Sequence, residues 1–337
     1  MKFKLTLMLL LLSSFVLFAQ NVVTVVDDDI QAGQQVNWTS DNEYLLDGLV
    51  FVESGAELTI QSGTVIKGKA NPSTGDNTSA LIIARDAKLY AAGTALEPII
   101  FTAEIDDITD PNDLATTDRG LWGGVLILGN ASINTATGVG QIEGIDPNEP
   151  RARYGGGANP DDNDDSGILR YVSIRHGGSE IGPGNEINGL TLGAVGDGTT
   201  IEYVEVFSNL DDGFEWFGGT VNTKYLVAAF CGDDGFDYDE GFRGKGQFWF
   251  AIQATDNAGR VAEQDGGTNP EDGQPYSTPY IVNATYIGPG VNAFPQGDGG
   301  ECIIFRDNAG GKYFNTIFTE YNGGQGGAGI TIEDLSS

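Results

Sequence analysis

The chain has 337 residues, with 48 acidic against 17 basic side chains and a formal net charge of −31. That balance excludes a nucleic-acid partner and disfavours an anionic membrane surface, because like charges repel. It leaves two uses for the carboxylates, a solvated acidic surface or sites for hard cations. The 50 glycines, set among abundant aromatic and β-branched residues, predict short strands joined by tight turns rather than disorder.

The N-terminus reads as an export signal over residues 1–19. Lys2 and Lys4 precede an apolar run from Leu5 to Phe18, and Ala19 is the small residue before cleavage. The run falls short of the roughly 20 apolar residues a bilayer span needs. Removing Lys2 and Lys4 takes the net charge from −31 to −33. The mature chain, residues 20–337, then carries no predicted transmembrane segment and belongs outside the cell or on its surface. Cys231 and Cys302 permit one disulfide in such a compartment.

Short apolar segments follow one another, each closed by Gly, Asp or Asn: Leu49-Val50-Phe51-Val52, Leu58-Thr59-Ile60, Val65-Ile66, Leu81-Ile82-Ile83, Ile99-Ile100-Phe101 and Val125-Leu126-Ile127-Leu128. Further along, two markers recur. One is Tyr-centred: Arg170-Tyr171-Val172, Glu202-Tyr203-Val204, Lys224-Tyr225-Leu226, Pro279-Tyr280-Ile281 and Lys312-Tyr313-Phe314. The other is Gly-led: Asn188-Gly189-Leu190, Asp212-Gly213-Phe214 and Asp234-Gly235-Phe236. Tyr203 to Tyr225 and Gly213 to Gly235 are both 22 residues apart. One shared period of that length predicts an all-β chain, a single parallel β-helix with three strands and three turns per coil, and right-handed crossovers by the usual rule. Residues one period apart then stack, so Phe214 lies on Phe236 and Trp216 on Tyr238 as an inward ladder, while Glu215 and Asp237 point outward. Trp122 and Trp249 read as packing residues, and His176 as a surface or turn residue. Asp106–Arg119, Asp146–Ser166 and Asp256–Thr278 break the period and read as acidic loops thrown out from the helix. No capping element follows Gly329-Ile330-Thr331-Ile332, which leaves a longer parent chain open.

Four strings carry a family resemblance: RGLWGGVLILGNA from Arg119, DSGILRYVSIRHGG from Asp165, NEINGLTLG from Asn185 and DDGFEWFGGTV from Asp211. Together they resemble secreted right-handed parallel β-helix proteins of Bacteroidetes-type bacteria. Those proteins are often type IX secretion substrates without an assigned activity. The resemblance implies a fold and a location more than a function.

The period itself points to a site. Asp211-Asp212 and Asp233-Asp234 share a phase on consecutive coils, as do Glu215 and Asp237. Carboxylates stacked about 5 Å apart repel unless protons or cations intervene, and Ca²⁺ suits such all-oxygen turns. The alternative is that these Asp side chains cap turns. A second calcium candidate is Asp161, Asn163 and Asp165, with the one-three-five spacing of a calcium loop. Ser166 and Val172 depart from that loop's pattern at positions six and twelve. Asn209-Leu210-Asp211, Gly232-Asp233-Asp234 and Arg243-Gly244-Lys245 are similar to three of the four signature segments of polygalacturonase-like glycoside hydrolases. That resemblance implies acid and base carboxylates on adjacent coils, with Arg243 and Lys245 binding a sugar acid. The fourth segment, Gly-His-Gly, is missing, and the single histidine, His176, precedes the Asp pairs. The expected function is therefore binding of an extracellular glycan or surface protein with calcium as a structural ion, and a carbohydrate-active enzyme is the alternative.

Overall fold

The computed structural model describes residues 21–267, 270–293, 301–321 and 329–333. The predicted export signal lies outside the described residues. Those residues contain no α-helix. They form a solenoid of parallel strands, and three stacked faces enclose one core.

The first face is a nine-stranded parallel sheet running from Leu49–Val52 through Ala80–Ile83, Val125–Leu128, Leu190–Gly193, Phe214–Phe217, Phe236–Asp239, Ala262–Asp265 and Ile303–Arg306 to Ile330–Ile332. The second and third faces fuse into a 16-stranded sheet, because Gly167–Arg175, Thr200–Phe207 and Asn222–Ala229 run through the corner between them. At that corner Tyr171, Tyr203, Tyr225 and Phe248 adopt φ between 48° and 57°. Left-handed backbone costs a non-glycine residue roughly 1–2 kcal/mol. Stacking offsets it: the ring centroids follow one another at 4.4, 4.3 and 5.1 Å. The Tyr marker thus identifies a corner for three of its copies. Tyr280 and Tyr313 are not at that corner. Tyr280 pairs with Lys245 and Lys312, and Tyr313 pairs with Ile281, so the corner positions of those coils fall on Asn283 and Asn315.

The Gly-led marker holds its phase throughout. Leu190 pairs with Phe214, Phe214 with Phe236, and Trp216 with Tyr238. All five side chains are fully buried. The Phe214 and Phe236 rings stack at 5.4 Å, and Phe236 also packs on Trp249 at 4.7 Å and Tyr286 at 5.7 Å. Trp216 and Tyr238 share a register, and Phe242 touches both rings, at 5.3 and 5.8 Å. The same column is aliphatic in earlier coils, as Val50, Leu81 and Val125. The marker glycines face inward at close approaches. A Cβ on Gly189 would lie 2.3 Å from Val206 Cγ1.

Two of the three period-breaking stretches are loops, apart from a 3-10 turn at Pro150–Ala152 and a short Arg153–Tyr154 strand in the second. The third is corrected: Asp256–Thr278 contains the first-face strand Ala262–Asp265. Its inward residues are Ala262 and Gln264, both fully buried, and the Gln264 amide donates to the Phe236 carbonyl and accepts from Tyr313 Oη. A polar residue in the core removes the alternation that marks a strand. Trp122 and Trp249 are buried packing residues, as expected. His176, read as a surface or turn residue, is a turn residue with φ 57° just past Arg175, and it is 4% exposed, with Nδ1 2.6 Å from the Asp118 carbonyl oxygen. Cys231 and Cys302 are free thiols. They belong to coils two rungs apart, about 10 Å, beyond the reach of a disulfide.

Candidate cation-binding cleft

Alternation decides what the outer side of the first face presents. One outward column begins Phe51, Ile82, Leu126 and continues Thr191, Glu215, Asp237 and Glu263. Its apolar part, with Leu128 and Ala194, supports a second hydrophobic cluster containing Ile142, Tyr154, Ile181 and Ile187. Those four residues belong to two excursions. One carries the hairpin of Gly140–Gln141 with Arg153–Tyr154, the other the hairpin of Glu180–Gly182 with Asn185–Glu186. Anchored on the apolar half of the column, they overhang the acidic half and wall a cleft of about 530 Å³.

Asp211, Asp212, Glu215, Asp233, Asp234, Asp237, Asp239, Glu240, Glu263 and Asp265 line this cleft. Two triads have carboxylate oxygens within 4.8 Å of one another: Asp211, Asp212 and Asp233, and Asp212, Glu215 and Asp237. Asp212 belongs to both. At 4.8 Å, two full charges repel by about 3–4 kcal/mol at an effective dielectric constant of 20. Arg306 lines the cleft, paired with Glu263 and Asp265, and Arg260 behind it pairs with Glu263 and Glu301. Among the described residues no lysine or arginine forms an ion pair with Asp211, Asp212, Glu215 or Asp237.

Protonation is the remaining relief within the protein. Asp212 and Asp234 are buried, Asp211, Glu215, Asp237, Asp239 and Glu240 are half-buried under the overhanging hairpins, and Asp233 is exposed at the cleft mouth. Burial, then Asp233 and Glu186, pushes Asp211 up to about 7. Burial and the neighbouring acids hold Asp212, Glu215, Asp234 and Asp237 well above the usual carboxylate range. Burial first, then Asp239, takes Glu240 to about 8, and burial takes Asp239 to about 6.

Turn capping and clustering coexist. Asp212 Oδ1 accepts the Asp234 backbone N–H at 2.9 Å, and Asp234 Oδ1 accepts that of Arg260. A carboxylate offers about four lone-pair sites, so one cap leaves capacity for a cation. Asp237 Oδ1 and both amide atoms of Gln141 are buried in the cleft wall with no hydrogen-bond partner. Buried polar atoms in that condition call for a water or an ion, and the two oxygens among them can ligate a cation. The donors are all oxygen, which fits Ca²⁺ with its six to eight oxygen ligands.

The other expected site residues lie elsewhere. The Asp161–Asp165 loop does not converge on a centre: Asp161 caps the Asn163 N–H, Asp165 caps that of Gly167 and pairs with Lys88 at 2.5 Å, and Asn163 contributes its backbone. Arg243 is held by Asp162 at 2.9 Å, Ser132 and the Gly241 carbonyl. Lys245 lies on the second face. The basic half of the hydrolase-like set is therefore not assembled with Asp211, Asp233 and Asp234. Sequence reasoning missed Asp239, Glu240, Glu263, Asp265, Arg260 and Arg306. Asp239 was accessible, two residues beyond Asp237 on the same face, whereas Glu263 and Asp265 were hidden by the misread strand.

A family model described as a pectate-lyase-like β-helix domain matches residues 29–334. No curated protein matches the chain, and no solved structure does.

Proposed function

The chain belongs to the pectate-lyase-like β-helix family, and on that basis we propose that it is an exported or surface-held solenoid that binds calcium in its carboxylate cleft. The calcium, in turn, presents open coordination sites to an extracellular partner, a glycan or the glycan of a surface protein. The observation that carries this reading is Asp212, shared by two carboxylate triads beside the partnerless Asp237 Oδ1. Calcium suits the site better than a transition metal, which favours nitrogen or sulfur ligands; His176 and the two cysteines are not in the cleft lining. A ligand that binds only the folded state raises stability by mass action. Thermal unfolding with excess chelator and with millimolar Ca²⁺ tests the reading, with a higher Tm in calcium expected. Equal Tm values at pH 8 would remove it.

A hydrolytic reading finds one supporting observation, a carboxyl near neutral pKa, Asp211, beside Asp233. The spacing within each triad opposes it. The triad oxygens lie within 4.8 Å, closer than the roughly 5–5.5 Å of retaining glycosidase pairs or the roughly 6.5–9.5 Å of inverting ones. Carboxylates this close suit a shared cation better than a sugar between them.

A further inference from the structure

The outer side of the third face differs from the rest of this acidic chain. Its later strands are the end of Asn222–Ala229, then Phe250–Ile252, Thr285–Ile287 and Ile317–Thr319. Parallel register aligns two outward columns across them. One runs Val227, Phe250, Thr285, Ile317 and the other runs Ala229, Ile252, Ile287, Thr319. Ala228, Ala251 and Tyr286, between the columns, are buried in the core, and alternation turns their neighbours outward. The preceding coil adds Phe207 and Glu205, whose carboxylate accepts from Ser173 Oγ at 2.6 Å. Beyond Glu205 neither column holds an ionisable group, in a chain of net charge −31. The apolar strip continues around the corner. Tyr225 and Phe248 of the ladder are 37% and 40% exposed, and Ile317 is 58% exposed. Single exposed apolar side chains are ordinary, but a contiguous patch of them marks an interaction surface.

Opposite charges flank the strip. Across the corner ladder stand Lys224, Lys245 and Lys312, all exposed. On the other side are the turns that follow the third-face strands, and the loop ending at Arg119 is tied down there. The Asp118 carbonyl meets His176, the Thr116 carbonyl accepts from Ser208 Oγ, and Arg119 donates to the Phe230 carbonyl. That loop carries Asp110, Asp113 and Asp118, and the last turn carries the exposed Glu320. Arg119 is already engaged by Asp256 through both carboxylate oxygens at 3.0 Å.

We propose that this strip is a dimer interface, with a second copy of the same chain as its occupant. Copies this acidic repel one another, so they meet most closely where no carboxylate faces another, and the strip offers that surface. A two-fold axis parallel to the solenoid turns the lysine flank of each copy towards the acidic flank of the other. An axis across the solenoid would set lysines against lysines and acids against acids. Four rungs, and a strand with its corner, make a patch about 20 Å on each side, which buries roughly 800 Å² over two copies before the flanks add theirs. That lies near the lower bound of specific interfaces, so the dimer should be of micromolar affinity. The calcium cleft opens on the first face, so the dimer leaves it free and does not depend on it.

Sedimentation velocity of the full chain from about 1 to about 300 μM tests the proposal, in excess EDTA so that calcium cannot bridge acidic surfaces. A monomer–dimer equilibrium is expected. Phe250→Glu/Ile287→Glu puts charge at the centre of the strip and should weaken association at least tenfold. Thr285→Arg, at a polar outward position, should do the same by bulk and charge, and thermal unfolding checks that both variants keep the parental Tm. Lys224→Glu/Lys312→Glu should also weaken the dimer, since the acidic flank of the partner then repels it. An unchanged dimer in the lysine variant would overturn the placement of the axis. A parent chain that stays monomeric at the highest concentration would overturn the proposal, as would a dimer that persists in both strip variants. Monomers that instead bind vesicles of phosphatidylcholine and phosphatidylglycerol would assign the strip to a membrane surface and overturn it too.

Discussion

Asp212 Oδ1 accepts the backbone N–H of Asp234 on the next rung at 2.9 Å, while the Asp212 carboxylate also stands within 4.8 Å of Asp211, Asp233, Glu215 and Asp237. One side chain therefore both holds two coils in register and concentrates negative charge.

Those two roles separate in Asp212→Asn. Asparagine keeps the Oδ1 acceptor and loses the charge. In chelator at pH 8 the variant should be more stable than the parent by at least about 1 kcal/mol, since each unit of raised pKa corresponds to about 1.4 kcal/mol. It should also lose most of the rise in Tm that calcium produces in the parent. Denaturant midpoints with and without calcium measure both effects, and a variant that is less stable in chelator yet still responds to calcium contradicts the role given to Asp212.

The cleft also sets a pH dependence. Asp239 near 6, Asp211 near 7 and Glu240 near 8 are all raised above unfolded values close to 4. Between those limits the folded state holds more protons than the unfolded state, so stability falls as pH rises. The contribution is fully present below about pH 4 and lost by about pH 8. Urea midpoints in chelator should drop from pH 5 to pH 8, and saturating calcium should flatten the slope by replacing the protons. A midpoint that climbs over that range in chelator would show that these carboxyls are not raised.

Phe236 closes the aromatic core against Phe214, Trp249 and Tyr286. Phe236→Ala should cost about 3–5 kcal/mol, because neighbouring rungs fixed by backbone hydrogen bonds cannot collapse into the space. A loss under about 1 kcal/mol by chemical unfolding would contradict the ladder.

How much of this was legible in the sequence depended on side-chain alternation. Phe214 and Trp216 flanking Glu215 announced both an inward ladder and an outward acid, and the repeat at 22 residues supplied the stacking. The same logic failed where the core accepts Gln264, since nothing in Ala262-Glu263-Gln264-Asp265 alternates in polarity. It failed again at Tyr280 and Tyr313, where a similar tripeptide falls three and two residues ahead of the corner positions Asn283 and Asn315. The cleft walls were not readable either, because the hairpins dock through Ile142, Tyr154, Ile181 and Ile187, which are close to the acids only in three dimensions.

Turnover is a separate matter from binding. With Arg243 held by Asp162 and Lys245 on another face, polygalacturonate and other acidic glycans should yield neither new reducing ends nor unsaturated products. Product formation that vanishes in Asp233→Asn would promote the hydrolytic reading over the binding one.

The most direct measurement is a crystal structure of the protein grown at pH 8 with millimolar Ca²⁺ and recorded at a wavelength where calcium scatters anomalously. A calcium peak is expected with Asp212 as a ligand, about 2.3–2.6 Å from oxygens of at least three carboxylates, together with Asp211 and Asp233 or with Glu215 and Asp237. Triads empty of any anomalous peak, with the carboxyls hydrogen-bonded to one another instead, would contradict the account.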